Sequence, residues 1–249
     1  MKMRSKLSQL YSSVLVNSIY PMKNHPIILL NTILGTFGVM AVVIFISHGA
    51  LLDVALVGAF MMSIIFSGVG IQQDLAHLKI DLKWQDMVVS SPTSAVMYVI
   101  GMAISELAYS IPTFILLGVL IAIFVHITLM AILTISAAII VMFVMALSIG
   151  FLLSTVSSDI IQNFAFGGVL SVILSTISPI YYPITYIPLP FRYLAYLSPT
   201  TYAAEIAQNA LGLIHLSSLN ISLDWVITLA IASVALVIAI KKSQWREKN

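Results

Sequence analysis

Six apolar runs divide the chain, at about 26–47, 54–71, 92–124, 127–153, 160–177 and 225–240. A helix needs roughly 20 apolar residues to cross the hydrocarbon of a bilayer, and there every backbone N–H and C=O must be bonded inside the structure. Runs of this length and number predict a bundle of spanning helices. With 60% hydrophobic and 8% charged residues, the 249 residues leave no stretch for a soluble domain of useful size. The expected fold class is therefore an all-α integral membrane protein with about six transmembrane helices, forming a single transmembrane domain over 1–249.

Charge placement tests that count independently of hydropathy. With the N-terminus in the cytoplasm, Lys2, Arg4, Lys6, Lys23, Lys79, Lys83, Lys241, Lys242, Arg246 and Lys248 all fall on the cytoplasmic side, and only Arg192 falls outside. Ten of eleven basic residues on one side is the positive-inside pattern of a multi-pass protein. The expectation is a protein of the cell membrane with both termini cytoplasmic. The basic residues form no single patch and the net charge is +2, so nucleic acid is not an expected partner, whereas membrane lipid is.

Three segments between or before the spans carry the remaining information. In 1–24, Leu7, Leu10, Tyr11, Val14, Leu15 and Ile19 follow one helical face, and Ser8, Gln9, Ser12, Ser13 and Asn17 take the other. This is an amphipathic interfacial helix, serving either as a plain lipid anchor or also as a contact for a partner. The segment 72–92 is an island of charge holding Asp74, Lys79, Asp81, Lys83 and Asp86 around Leu75, Leu78, Leu82 and Trp84. It reads as a solvated loop or as a short docking helix for another subunit. The segment 178–222 holds five of the nine prolines and, up to Tyr202, six of the ten tyrosines. Proline removes a donor and fixes φ, and tyrosine suits an apolar ring with a wet edge, so a broken, re-entrant or interfacial hairpin at one membrane face is expected.

Chemistry of the catalytic kind finds little footing. No GxxxxGK[ST] loop is present to cradle ATP phosphates, no HExxH appears, and His25, His48, His77, His126 and His215 have no metal-ligand spacing. No catalytic residue, metal site or cofactor bound by this chain is expected. Glu106 stands out as an ionisable residue well inside a span, costly by a few kcal/mol if it faces lipid, and so expected to face the bundle, a cavity or another subunit. It reads equally as a residue of a translocation path and as an interhelical hydrogen-bonding group. Pro112 should kink the same helix near Ala108. Pairing Glu106 with His126 as an intramembrane enzyme fails on distance, since twenty residues of helix separate them by about 30 Å.

The stretch SPIYYPITYIPLPFRYLAYLSPTTYAAEIAQNAL at 178–211 resembles the C-terminal signature of the permease subunits of type-2 ATP-binding-cassette (ABC) exporters. In that family a broken run of this kind forms short helices dipping into the membrane from outside, between spans five and six. Pro183, Pro188, Leu197, Pro199, Tyr202 and Glu205 fall on matching positions, and the amphipathic N-terminal helix and Ser91-Pro92-Thr93-Ser94 at the start of span three are similar to the family's. Two departures stand beside the match. Asp74, His77 and Lys83-Trp84 replace the usual pattern of the loop between spans two and three, and Gln208 stands where members often have arginine.

The resemblance implies a half-transporter. Two copies, or two related permeases, would enclose the path and meet mainly through spans two and five, and a separate cytoplasmic ATPase subunit would bind ATP and Mg. The residues implied for coupling to that ATPase are Asp74, Leu75, Leu78, Leu82, Trp84 and Asp86. Those implied for the extracytoplasmic gate are Tyr181, Tyr182, Pro183, Pro188, Pro199, Tyr202 and Glu205, with Glu106 on the path. A non-transporting membrane assembly or immunity factor and an ion-coupled secondary transporter stay open as alternatives.

Overall fold

The computed structural model describes residues 2–77 and 95–242. Four of the expected coupling residues, Leu78, Leu82, Trp84 and Asp86, lie outside them, as does Ser91 to Ser94. The first helix, α1 (Lys2–Val14), continues through a π turn at Leu15–Ile19 into α2 (Tyr20–Asn24). Then follow α3 (Ile27–Ile46), α4 (Leu52–Ala76), α5 (Ala95–Phe124), α6 (Leu129–Val156) and α7 (Ile160–Val172), the last extended by a π turn at Ile173–Ile177. The hairpin comprises a 3₁₀ turn at Ile184–Tyr186, α8 (Arg192–Ala195) and α9 (Pro199–Ala210), and α10 (Ser218–Lys242) follows. All regular structure among the described residues is helical, as an all-α membrane protein requires.

Five segments are long and apolar enough to cross a membrane: α4, Met97–Phe124 within α5, α6, Ile160–Ile177, and α10. A shorter apolar helix, Ile33–Ile46 within α3, stands where the first span is expected. The boundaries have local causes. His48 and Gly49 take positive φ, 50° and 83°, to reverse the chain between α3 and α4. Thr128 caps α6 by accepting from the Ala131 amide at 3.2 Å, and Asp159 caps α7 by accepting from the Gln162 amide at 2.7 Å. Gly212, at φ 73°, ends α9 with its own amide donating to Asn209 and the Leu213 amide to Gln208.

Two expected spans are longer in the structure. The second runs through Gln72 to Ala76 before the charge island, because Gln72 is buried in the bundle with its amide against Gly167 of α7. The sixth starts at Ser218, several residues before Trp225, which puts Asp224 inside a helix. With Asp74 at the end of α4, this gives the spans further ionisable residues besides Glu106. α5 is assigned as one helix through Pro112.

Burial singles out α4. Its most apolar window is 83% buried, against 17% to 33% in the other four candidate spans. It packs on α6 and α5, and also on α3, α7 and α9. The crossing with α6 is close because both sides are small: a Cβ on Gly68 would lie 2.6 Å from that of Ala146, and one on Gly150 would lie 2.9 Å from the Val69 carbonyl oxygen. The Gly167-Gly168 pair divides its roles, Gly167 facing Gln72 and Gly168 meeting nothing within 4 Å.

The N-terminal helix lies on α5 through residues of both its faces. Ser18 is fully buried, Ser13 Oγ lies 3.4 Å from Ser105 Oγ, Asn17 Nδ2 donates to Met102 Sδ, and Leu10 borders Gly101, while Ser8 and Ser12 are exposed. Leu7 and Tyr11 are 71% and 64% exposed, free to enter lipid.

If the α4–α6 crossing sets the fold, Gly68→Ala and Gly150→Ala should each lower stability by about 1–3 kcal/mol through overpacking. Gly38→Ala, at a position with nothing within 4 Å, should not. Thermal unfolding in detergent reads this, and equal melting temperatures for all three variants would contradict it.

Candidate functional site

α4 joins two polar assemblies. Near its start, a Cβ on Gly58 would collide with the Ile180 carbonyl of the hairpin; near its end, one on Gly70 would lie 3.1 Å from Glu106 Oε2. Gly58 and Asp74 are sixteen residues apart, about 24 Å along a helix.

At the hairpin end, prolines leave the backbone without regular pairing, and side chains supply the missing donors. Gln208, 3% exposed on α9, donates from Nε2 to the Pro179 carbonyl at 2.8 Å and to that of Tyr182 at 3.3 Å. Arg192 donates to the carbonyls of Ile187 and Thr185, both at 2.7 Å. Thr200 donates to Leu174, Thr201 to Ala195, and Tyr202 to Tyr196 at 2.8 Å. Of the expected gate residues, Tyr181, Pro183 and Glu205 are buried, Tyr182, Pro199 and Tyr202 are half-buried, and Pro188 is exposed. Burial pushes the Tyr181 phenol well above its ordinary range. These residues thus belong to one packed unit whose buried side faces α4, α6 and α10.

Gln208, which the sequence marks only as a departure from the family's arginine, ties this unit together. Its signal was present, since Ala203, Ala204, Ala207 and Gln208 lie on the buried surface of α9 among small residues. What the sequence could not supply was the distance from residue 208 to Pro179, a pairing across 29 positions.

At the other end, the carboxyl groups of Asp74 on α4 and Glu106 on α5 lie close enough to act on each other. Glu106, which the sequence left open between a path residue and an interhelical bond, has its carboxyl at Gly70 and is buried. Its neighbour Ser105 touches Ser13 of α1. Leu75, an expected coupling residue, is half-buried and packs with Ile71, Met102, Tyr98 and Leu147 inside the chain. The N-terminal helix, α5 and the last turn of α4 therefore meet at one joint, where the chain passes into the charge island.

Replacing Gln208 by alanine leaves the carbonyls of Pro179 and Tyr182 without that donor, at a cost of about 1–3 kcal/mol. Hydrogen exchange should quicken about tenfold or more in the 180–187 segment and stay unchanged in α4. Unchanged exchange in the hairpin would show that Gln208 does not hold it.

A family model described as the ABC-2 type transporter, that of the membrane domain, matches residues 10–211. No curated protein matches the chain. The match runs from the N-terminal helix through both polar assemblies to the end of α9, and with the six apolar segments it shows that the chain belongs to the ABC-2 type transporter family as a membrane permease component.

Proposed function

We propose that this chain is the permease subunit of an ATP-driven exporter in the cell membrane, paired with a second copy or a related permease and driven by a separate cytoplasmic ATPase that binds ATP and Mg. The observation that carries the coupling part is the joint at the end of α4. There Asp74, Glu106, Ser105 and Ser13 tie the last turn of α4 to α5 and to the N-terminal helix. The charge island with Leu78, Leu82, Trp84 and Asp86 leaves from that joint and serves as the docking segment.

In this reading, closure of the ATPases pushes the docking segment and the N-terminal helix together. A push at the end of α4 is carried along a helix that is packed on nearly every side, and packed helices transmit displacement because they compress little. At the far end Gly58 bears on Ile180, so the hairpin feels the movement of α4 and acts as the extracytoplasmic gate. Both termini lie on the cytoplasmic side. In this reading the two permeases meet through spans two and five, and the exposed Ile161, Phe164, Val169 and Val172 of α7 support the share of span five.

The test is ATP hydrolysis by the partner ATPase in vesicles containing the permease. Trp84→Ala with Asp86→Ala should remove the permease-dependent part of the rate while leaving membrane insertion intact. Glu106→Ala, which removes the α5 side of the joint at Asp74, should reduce coupling roughly tenfold. Full coupling in both variants would remove the docking segment and the joint from the mechanism.

A further inference from the structure

An acidic pair at the hairpin end lies outside the coupling route. Glu205 on α9 is 4% exposed and Asp224 on α10 is 6% exposed, and the two helices pack directly on each other. Glu205 Oε1 accepts a hydrogen bond from the Tyr196 hydroxyl at 3.3 Å. Asp224 Oδ2 is buried and has no hydrogen-bond partner among the described residues. Asp224 is near enough for its charge to act on Glu205, Tyr196 and Tyr202.

No base from the packed elements answers this charge. Arg192 is committed to the Ile187 and Thr185 carbonyls. α6 carries no ionisable side chain, and α4 brings only the acids Asp53 and Asp74. Lys241 and Lys242 of α10 are some seventeen residues from Asp224, about 25 Å along the helix. Tyr196 and Tyr202 lie beside the pair with ring centroids 5.9 Å apart, and the Tyr202 hydroxyl is turned to the Tyr196 carbonyl. Two ionised carboxylates here would face both desolvation and mutual repulsion, offset only by the Tyr196 bond to Glu205. Two carboxylates and one phenol also fall short of the about six to eight oxygens that calcium takes.

We propose that Glu205 and Asp224 form a proton-binding site at the hairpin end of the bundle, holding one proton between them at neutral pH. Loss of that proton leaves two like charges between α9 and α10 and loosens the hairpin's seat. Burial first, and then the charge of Asp224, push Glu205 up to about 7, against the lowering effect of the Tyr196 bond. The Tyr196 phenol, raised to about 12 by burial and by Glu205, remains a donor throughout this range. The folded chain thus keeps a proton over the interval from the ordinary 4.5 to about 7, in which the unfolded chain has lost it. Stability is therefore greatest on the acid side of that interval and falls as pH rises toward 7. The site does not depend on the transport reading, and Asp224 lies outside residues 10–211 matched by the family.

The test is thermal unfolding of the full-length chain in detergent as a function of pH, with infrared difference spectra of the carboxylic-acid C=O band. Wild-type protein should lose melting temperature as pH rises toward 7 and beyond, together with a carboxylic-acid band titrating near pH 7. Glu205→Gln should remove both. Asp224→Asn, which deletes the repelling charge, should move the titration to lower pH. Tyr196→Phe, which deletes the donor that favours the anion, should move it to higher pH. If one of these two variants fails to fold, the direction of the shift in the other decides the matter. A band that ignores Glu205→Gln, or shifts in the same direction in the other two variants, overturns the proposal. So does a titration that sodium or calcium ions abolish at fixed pH, which would identify a metal site instead.

Discussion

The burial of α4 by its own chain is the constraint on which the rest of the structure depends. An apolar helix in lipid gains little from burying apolar surface, so its place at the centre has to come from close backbone approach and from polar contacts. Both are present. Gly68 and Gly150 let α4 and α6 meet at backbone distance, Gly167 admits the Gln72 amide, and Asp74 reaches Glu106 on α5. One rigid element thereby touches the hairpin at one end and the N-terminal joint at the other. The helices around it keep most of their surfaces for lipid or for another chain.

The hairpin solves a second problem set by the bilayer, which is that broken backbone has to be satisfied by protein. Prolines break the helix after Ile177, and the carbonyls so released at Pro179, Tyr182, Thr185, Ile187, Ala195 and Tyr196 are taken by Gln208, Arg192, Thr201 and Tyr202. The side chains therefore replace a regular ladder, and the segment gains a fixed shape without a continuous helix. That shape is compatible with movement as a unit, because most of these bonds join parts of the hairpin to one another.

The periodic parts of this architecture were legible in the residues. Span positions follow from apolar runs, and the broken hairpin from its prolines and tyrosines. Contacts between distant positions were not. Nothing local marks Asp74 as the partner of Glu106, and Asp224 was set outside the last span because hydropathy alone starts that span at Trp225. A second signal was available there, since Asp224, Thr228, Ala232, Ala235 and Ala239 form one buried stripe along α10. The N-terminal helix shows a different limit: its amphipathic pattern does not say which residues dock, and Ser13, Asn17 and Leu10 from both faces meet α5.

Co-purification tests the coupled-permease claim most directly. The tagged chain is extracted from its own membranes in mild detergent, and whatever accompanies it is identified and assayed for ATP hydrolysis. Recovery of a P-loop ATPase in about equal amount, with hydrolysis that responds to the permease, is the predicted result. A chain that emerges alone, or only with partners that bind no nucleotide under conditions preserving other membrane complexes, would contradict it.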